Sequence, residues 1–433
     1  VGYPTAVGET PATDRYPAES ELDIALSPRY SWSMILERST KIDSTTNTVY
    51  LESVRALLPA IRGRASACEL LRRLPDETAE EYRKTGLLRA LQPSRWGGLE
   101  LDPLTFFEAV TEVAAACPSS AWFLSVVGVH NWQLGLFPEQ AQEDVWGKDT
   151  GVLISSSYAP TGKVKRVDGG FRLSGRWSFS SGCDQCQWVF LGGVAPSDNP
   201  APDMRTFLVP RSDYRIIDNW HVAGLAGTGS KDIVVDDAFV PEHRTHRFAD
   251  AYMLQNPGQA VNAGPLFRLP FGCLFSFCIS VPAIGAARGA LDSYRSYMQE
   301  KVAAYDGSKV ADDPFAQRRL SEAAVEIDAA EAEVRSTWEA ICARAEAGEA
   351  IPLELRARAR WSAANIVLRG VRAVDLLFEA SGGRALFLDN PIQRYFRDVH
   401  AMRAHALNNP DRASQIFGYA QLHPGATPPD FFL

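Results

Sequence analysis

The apolar residues of this chain change their period twice, and that double change narrows the possible folds more than any composition figure. From Tyr50 the spacing is helical: Leu57, Ile61, Leu70, Leu71 and Leu74 fall on one face, and Asp76-Glu77-Thr78 after Pro75 reads as a fresh helix start. Helical spacing continues to about residue 147. The stretch from Phe106 to Phe137, with Trp122 and Trp132 inside it, is so apolar that it belongs between other elements rather than on a surface. Near residue 151 the pattern turns to short β-forming runs: Val152 to Ser156, Phe171 to Ser174, Trp188 to Leu191, Thr206 to Val209 and Ile233 to Val235. Asp-Gly-Gly, Pro-Ser-Asp-Asn-Pro and Gly-Thr-Gly turn signals separate them. After a loop with Pro257, Gly264, Pro265 and Pro270, helical spacing returns until about residue 420. There Leu320, Ala324, Ile327, Ala330, Val334, Trp338 and Ile341 form one long stripe, and breaks at Gly348 and Pro352 imply antiparallel neighbours.

The expected class is therefore α+β, in the order helices, strands, helices. Residues 1–45, with Pro4, Pro11, Pro17 and Pro28 among polar neighbours, read as an N-terminal arm. Residues 46–149 read as a helical domain, 150–245 as a β domain and 246–433 as a helical bundle. A length of 433 residues with 46% apolar content is ample for a core. The formal charge of -8 is spread along the chain, which argues against a nucleic-acid partner. Seven scattered cysteines do not form a disulfide framework, and no signal peptide or membrane span is evident, so a cytoplasmic location is expected.

Several motifs could carry chemistry, and each has a plain structural explanation when taken singly. Trp177-Ser-Phe179-Ser180-Ser181-Gly182 puts two aromatic rings and three hydroxyls at a strand end. Such a loop can wall a flat heterocycle and bond its ring nitrogens, or be an ordinary serine-rich turn. Ile154-Ser155-Ser156-Ser157-Tyr158 reads as a second hydroxyl-rich strand end in the same domain. His130 lies in the most apolar helical stretch, where a desolvated imidazole stays neutral and can serve as a base, or is simply a satisfied core residue. His400 and His405 are five apart, so on a helix they diverge and cannot share a metal. Cys183-Asp-Gln-Cys186 lacks a second ligand pair, and no metal site is expected. Gly224-Leu-Ala-Gly227-Thr-Gly229 precedes a strand and is not a dinucleotide fingerprint.

In their order along the chain, Gln92-Pro-Ser-Arg-Trp96-Gly-Gly98, the Trp177–Gly182 loop, Gly224 to Ser230 leading to Val240-Pro241, and Arg397-Asp398 resemble the landmarks of the acyl-CoA dehydrogenase superfamily. The likeness covers residue 50 to the end. Ser155 to Pro160, Gly128 to Trp132 and Pro391-Ile-Gln-Arg394 are most similar to its flavin-dependent hydroxylases of phenolic rings, the secoandrostatriene-dione hydroxylases and 4-hydroxyphenylacetate hydroxylase oxygenases among them. The resemblance implies a helical N-terminal domain, a central β-barrel, a C-terminal four-helix bundle and a homotetramer. It implies a two-component monooxygenase: reduced FMN or FAD arrives from a separate NAD(P)H-flavin reductase, molecular oxygen adds at flavin C4a, and the hydroperoxide hydroxylates an aromatic substrate ortho to its hydroxyl.

By position in the family's motifs, Trp122, Ser156, Phe179, Ser180 and Ser181 would contact flavin, with Ser180 or Ser181 at N5. Gly383 and Arg384 would contact it from the bundle. His405 would stand beside C4a as the proton donor and His130 beside the phenol as base. Lys301, ahead of Tyr305-Asp-Gly307, takes the place where the superfamily often has an arginine reaching a neighbouring subunit's flavin. Lysine offers a point charge rather than a bidentate fork. A dehydrogenase or oxidase of acyl-CoA is the rival implied by the fold, with Asp389 standing where many of those enzymes have their glutamate base. An N- or S-oxygenase of the same fold is a further alternative.

Overall fold

The structure, a computed structural model, describes residues 44–198, 201–302, 307–426, 430 and 433. Almost all of the expected arm, and Tyr305 and Asp306, lie outside the described residues. Six helices come first: α1 (Ser44–Gly63), α2 (Ala65–Leu71), α3 (Asp76–Thr85), α4 (Pro103–Ala116), α5 (Pro118–Leu134) and α6 (Glu139–Trp146). Every residue of α5 is buried, as an all-round apolar sequence requires. Asp102 starts α4 by accepting the Thr105 N–H at 3.0 Å, and Gly86, at φ +72°, ends α3.

Seven strands follow: β1 (Ile154–Val167), β2 (Gly170–Ser180), β3 (Trp188–Ala195), β4 (Asp203–Pro210), β5 (Tyr214–Ile217), β6 (Lys231–Pro241) and β7 (Thr245–Arg247). They form one sheet in the order β5-β6-β2-β1-β3-β4-β7. β1 runs antiparallel to β2 and parallel to β3, so the long first strand bridges two halves. Phe171, Leu173 and Trp177 from one half meet Leu191, Phe207 and Val209 from the other in a single core, and the sheet curls around it as an incompletely closed barrel.

The remaining helices are α7 (Phe248–Met253), α8 (Phe271–Ser280), α9 (Pro282–Glu300), α10 (Pro314–Ala347), α11 (Leu353–Ser381), α12 (Pro391–Arg403) and α13 (Pro410–Leu422). α10 keeps the predicted stripe: Ile327, Ala330, Val334, Trp338 and Ile341 are buried, and Gly348 at φ +70° stops it. α11 packs on α9, α10, α12 and α13. By length and composition Phe271–Glu300 could cross a membrane, yet 94% of its most apolar window is buried inside the protein, which makes it a core element here.

One clamp joins the three layers. Gly224 and Gly227 let the turn before β6 approach closely: a Cβ at Gly224 would lie 2.2 Å from the Arg397 carbonyl oxygen, and one at Gly227 2.3 Å from Cys68 Sγ. Asp398 of α12 accepts the Leu225 N–H at 2.6 Å, and Arg397 donates to the Ala223 carbonyl at 2.6 Å. Gly224→Ala should therefore cost about 1–3 kcal/mol, because backbone rather than a flexible side chain must yield. Its urea midpoint should drop at unchanged slope.

Candidate active site

Between the sheet and the last helices a chain of hydroxyls meets two aromatic rings. Trp122 of α5 donates its indole N–H to Ser181 Oγ at 3.1 Å. Ser181 Oγ lies 2.8 Å from Ser230 Oγ, and Ser230 Oγ lies 2.7 Å from Thr228 Oγ1. The His405 ring stands 5.9 Å from the Trp122 ring. Ser180 points elsewhere and donates to Ser155 Oγ at 3.1 Å, both residues being fully buried. The structure thus separates the two candidate serines and puts Ser181, not Ser180, in the group with Trp122 and His405. The cause is local. Phe179 takes a left-handed φ of +68°, and the β2–β6 register shifts between Trp177 and Ser180, which breaks simple strand alternation. Phe179 itself is 70% exposed and meets Trp220 edge-on at 5.9 Å.

The two histidines are both neutral and carry their protons on opposite nitrogens. His130 Nδ1 lies 2.7 Å from the Ile154 carbonyl oxygen, and a carbonyl only accepts, so the proton sits on Nδ1 and the Nε2 lone pair is bare. That Nε2 is buried with no partner among the described residues, inside walls formed by Phe190, Tyr158 and Phe275 at ring distances of 5.8, 6.2 and 6.3 Å. Burial pushes His130 down to about 4, against the opposing pull of the Ile154 hydrogen bond. His405 shows the reverse arrangement. Its Nδ1 accepts the Leu407 N–H at 3.2 Å, so the neutral ring keeps its proton on Nε2. Burial, and then the Arg360 charge, push it down to about 4.

His405 does not share a helix with His400. α12 ends at Arg403, and His405 opens the next turn, while His400 pairs with Asp375 at 2.9 Å.

β1 and β2 join the two histidines: Ile154 holds His130, Ser155 bonds Ser180, and Ser181 next to it accepts from Trp122, whose ring stands beside that of His405. Ser156, buried at 6% exposure, lies at the N-terminal end of β1 in this series.

Lys301, Gly383 and Arg384 gather at another place, the end of α11. Lys301 Nζ donates to the Ser381 carbonyl at 3.1 Å, and a Cβ at Gly383 would meet open space. Arg384 pairs with Asp389 at 2.7 Å. Asp389, whose side chain is 65% exposed and bound to that arginine, is far more solvated than a base over a substrate carbon should be. A cleft of about 480 Å³ lies at the β4–β7 edge, lined by Arg205, Glu242, His243 and Arg247, whose side chains already have partners, and it holds none of these site residues.

The residues fit a flavin. An exposed aromatic face at Phe179, a ring at Trp122 and a linked set of hydroxyls suit a flat heterocycle with alternating donors and acceptors, and the orphaned Nε2 of His130 awaits a proton donor. Thr228, the Tyr158–Gln133 hydrogen bond and Arg360 were not singled out from sequence. Thr228 lies inside a stretch read as a turn and as a family landmark, with no role given to its hydroxyl.

Residues 48–149 match the N-terminal domain of acyl-CoA dehydrogenase and residues 277–410 its C-terminal domain. The chain is 46% identical to the flavin-dependent monooxygenase oxygenase subunit HsaA of Rhodococcus jostii over 85% of this chain and 97% of that protein. It is 36% identical to the FADH(2)-dependent resorcinol hydroxylase oxygenase component of a Rhizobium species, over 85% of this chain and 93% of the relative. The crystal structure of 3-HSA hydroxylase from Rhodococcus sp. RHA1 superposes with a TM-score of 0.85 at 44% identity, covering 89% of this chain and 98% of the other. With helices, curled sheet and bundle in this order and these relatives across most of its length, the chain belongs to the acyl-CoA dehydrogenase family and is one of its flavin-dependent monooxygenases.

Proposed function

We propose that this protein hydroxylates a phenolic or polycyclic aromatic substrate ortho to its hydroxyl, as the oxygenase half of a two-component system. The observation that carries the proposal is the pair of neutral histidines with opposite tautomers, one offering a lone pair in an aromatic chamber and the other keeping its proton on Nε2 in a ring beside Trp122. Reduced FMN or FAD, when bound, supplies the electrons that activate molecular oxygen.

His130 Nε2 takes the phenol proton and so raises the electron density of the neighbouring ring carbon. Phe190, Tyr158 and Phe275 hold the ring and keep water out. Ser181, fixed by Trp122 and Ser230, would offer its hydroxyl to a bound flavin, with Ser156 and Phe179 as further contacts, and His405, with its proton on Nε2, would be the proton donor of the site. A phenolic acceptor is supported by the relative named for resorcinol. Three modules, 46–149, 150–245 and 246–433, each bring part of this set. A separate NAD(P)H-flavin reductase fits the relatives' designation as oxygenase subunit or component, and the absence of a nicotinamide fingerprint from the sequence.

Anaerobic loading with reduced flavin, then ¹⁸O₂ and a phenol, should yield an ortho-diol carrying one labelled oxygen. Unlabelled product, or dehydrogenation of an acyl-CoA by the same protein, would overturn the reading.

The same reading includes a homotetramer. Leu386, Phe387 and Leu388 are 69, 56 and 78% exposed beside Gly383 and Arg384, an apolar cluster that assembly would cover and bring, with Lys301, to a neighbour's flavin. A Phe387→Asp, Leu388→Asp variant should elute as smaller species in light scattering and bind reduced flavin at least tenfold more weakly. An unchanged mass and affinity would remove that part of the proposal.

A further inference from the structure

Arg360 stands near the start of α11 at 1% exposure, where a charge is costly. Of its five N–H donors, those on Nε and Nη1 are buried without a partner among the described residues, and Nη2 donates to the Leu407 carbonyl at 3.2 Å. Burial pulls the guanidinium below its ordinary value, with Asp430 opposing and Arg412 assisting. A leucine or methionine would fill this position at lower cost, so packing alone does not account for the residue.

The bond that Arg360 makes goes to the turn that carries His405. There the Leu407 N–H occupies His405 Nδ1, Asn408 Nδ2 donates to the Met402 carbonyl at 2.8 Å, and Ser280 Oγ of α8 donates to Asn408 Oδ1 at 2.7 Å. We propose that Arg360 is a positioning residue for the reaction: by holding the Leu407 carbonyl it fixes the turn so that His405, its ring beside Trp122, keeps its proton on Nε2.

Its charge acts in the same direction, since a cation at this depth opposes a second proton on the imidazole. Around His405 stand Trp122 from α5, Arg360 from α11 and the Leu407 N–H, while Arg403 at the end of α12 reaches the Asn408 carbonyl at 3.4 Å. Asp398 of α12 is engaged with the Leu225 N–H, and α8 faces the turn with the neutral Ser280. The role assigned to Arg360 rests on the reading of His405 as proton donor.

The test is nitrogen-15 NMR of histidine-labelled full-length protein, comparing wild type with Arg360→Met and Arg360→Gln, beside the yield of hydroxylated product per reduced flavin consumed. In Arg360→Met, His405 should titrate about one pH unit higher, a tenfold change in acidity, and a share of the Nδ1–H tautomer should emerge. Product yield should decline several-fold, most steeply on the acid side. Arg360→Gln, which still reaches Leu407, should raise the midpoint but retain the tautomer, and it serves if the methionine variant does not fold. An unmoved His405 midpoint in either folded variant overturns the proposal. A shifted His405 with undiminished product yield would show that Arg360 sets the His405 tautomer, but would reject His405 as the donor and with it the part of Arg360 in the reaction.

Discussion

Replacing His130 by phenylalanine should cut hydroxylation at pH 7 by about 10²–10⁴-fold, while oxygen is still consumed and is recovered as hydrogen peroxide. The size of the effect follows from the bonding of the ring. Nδ1 is committed to the Ile154 carbonyl, so Nε2 is the atom that can take a proton, and burial holds His130 neutral down to about 4. A phenol with an ordinary dissociation constant near 10 is almost wholly protonated at neutral pH, and its ring carbon is then a poor nucleophile. Phenylalanine fills much of the same volume between Phe190 and Phe275, so loss of the fold is not the expected cause. The deficit should shrink as the pH approaches 10, where solution supplies the phenolate. Product and peroxide measured together check this, and full product yield from His130→Phe at pH 7 would contradict it.

A double variant, His130→Phe with His246→Gln, should resist acid better than the parent. His246 is 3% exposed, lies 2.9 Å from Asn256 Oδ1, and is pushed down to about 4 by burial against that opposing bond. Both histidines ionise near 6.5 once unfolded. Between 6.5 and 4 the unfolded chain therefore binds more protons than the native one, and the stability these residues contribute, complete above 6.5, is lost as the pH falls towards 4. Two residues over two pH units amount to about 5 kcal/mol by pH 4.5.

Wild-type stability on its own hides this term. Burial raises Asp398 to about 7, and burial with the neighbouring Glu112 charge raises Glu108 to about 7. Their contribution has the opposite course: it is complete below the unfolded carboxyl range and lost as the pH rises through 7. The comparison that isolates the histidines is the difference between variant and parent in urea midpoints from pH 4.5 to 7.5. That difference should favour the variant increasingly towards acid. A constant difference would show that these imidazoles are already charged in the native state.

Much of this architecture was legible because burial imposes sequence patterns. α5 is apolar on all sides and is buried on all sides, and the stripe through Ile327, Val334 and Trp338 faces the bundle. The order of the motifs identified the family, since chance explains one serine-rich turn more easily than four landmarks in register.

The site was only partly legible. Ile154 to Pro160 reads as a strand end but begins a fourteen-residue strand, whose second half, Gly162 to Val167, carries lysine and arginine and gives little β signal. Ser180 and Ser181 could not be told apart, because the left-handed turn at Phe179 just before them is not marked by a glycine or asparagine. The end of α12 before His405 lacks a Gly or Pro stop signal. Arg360 in sequence is one arginine among several in an amphipathic helix, and its burial is decided by α8 and the turn after α12.

The account turns on a division of labour between two uncharged imidazoles. Histidine-selective nitrogen-15 NMR at pH 7, with His130→Phe and His405→Ala variants to assign the signals, reads it most directly. The prediction is a bare Nε2 on His130, a bare Nδ1 on His405, and no change in either until the pH nears 4. A doubly protonated ring at either position at pH 7, or the same tautomer at both, would contradict it.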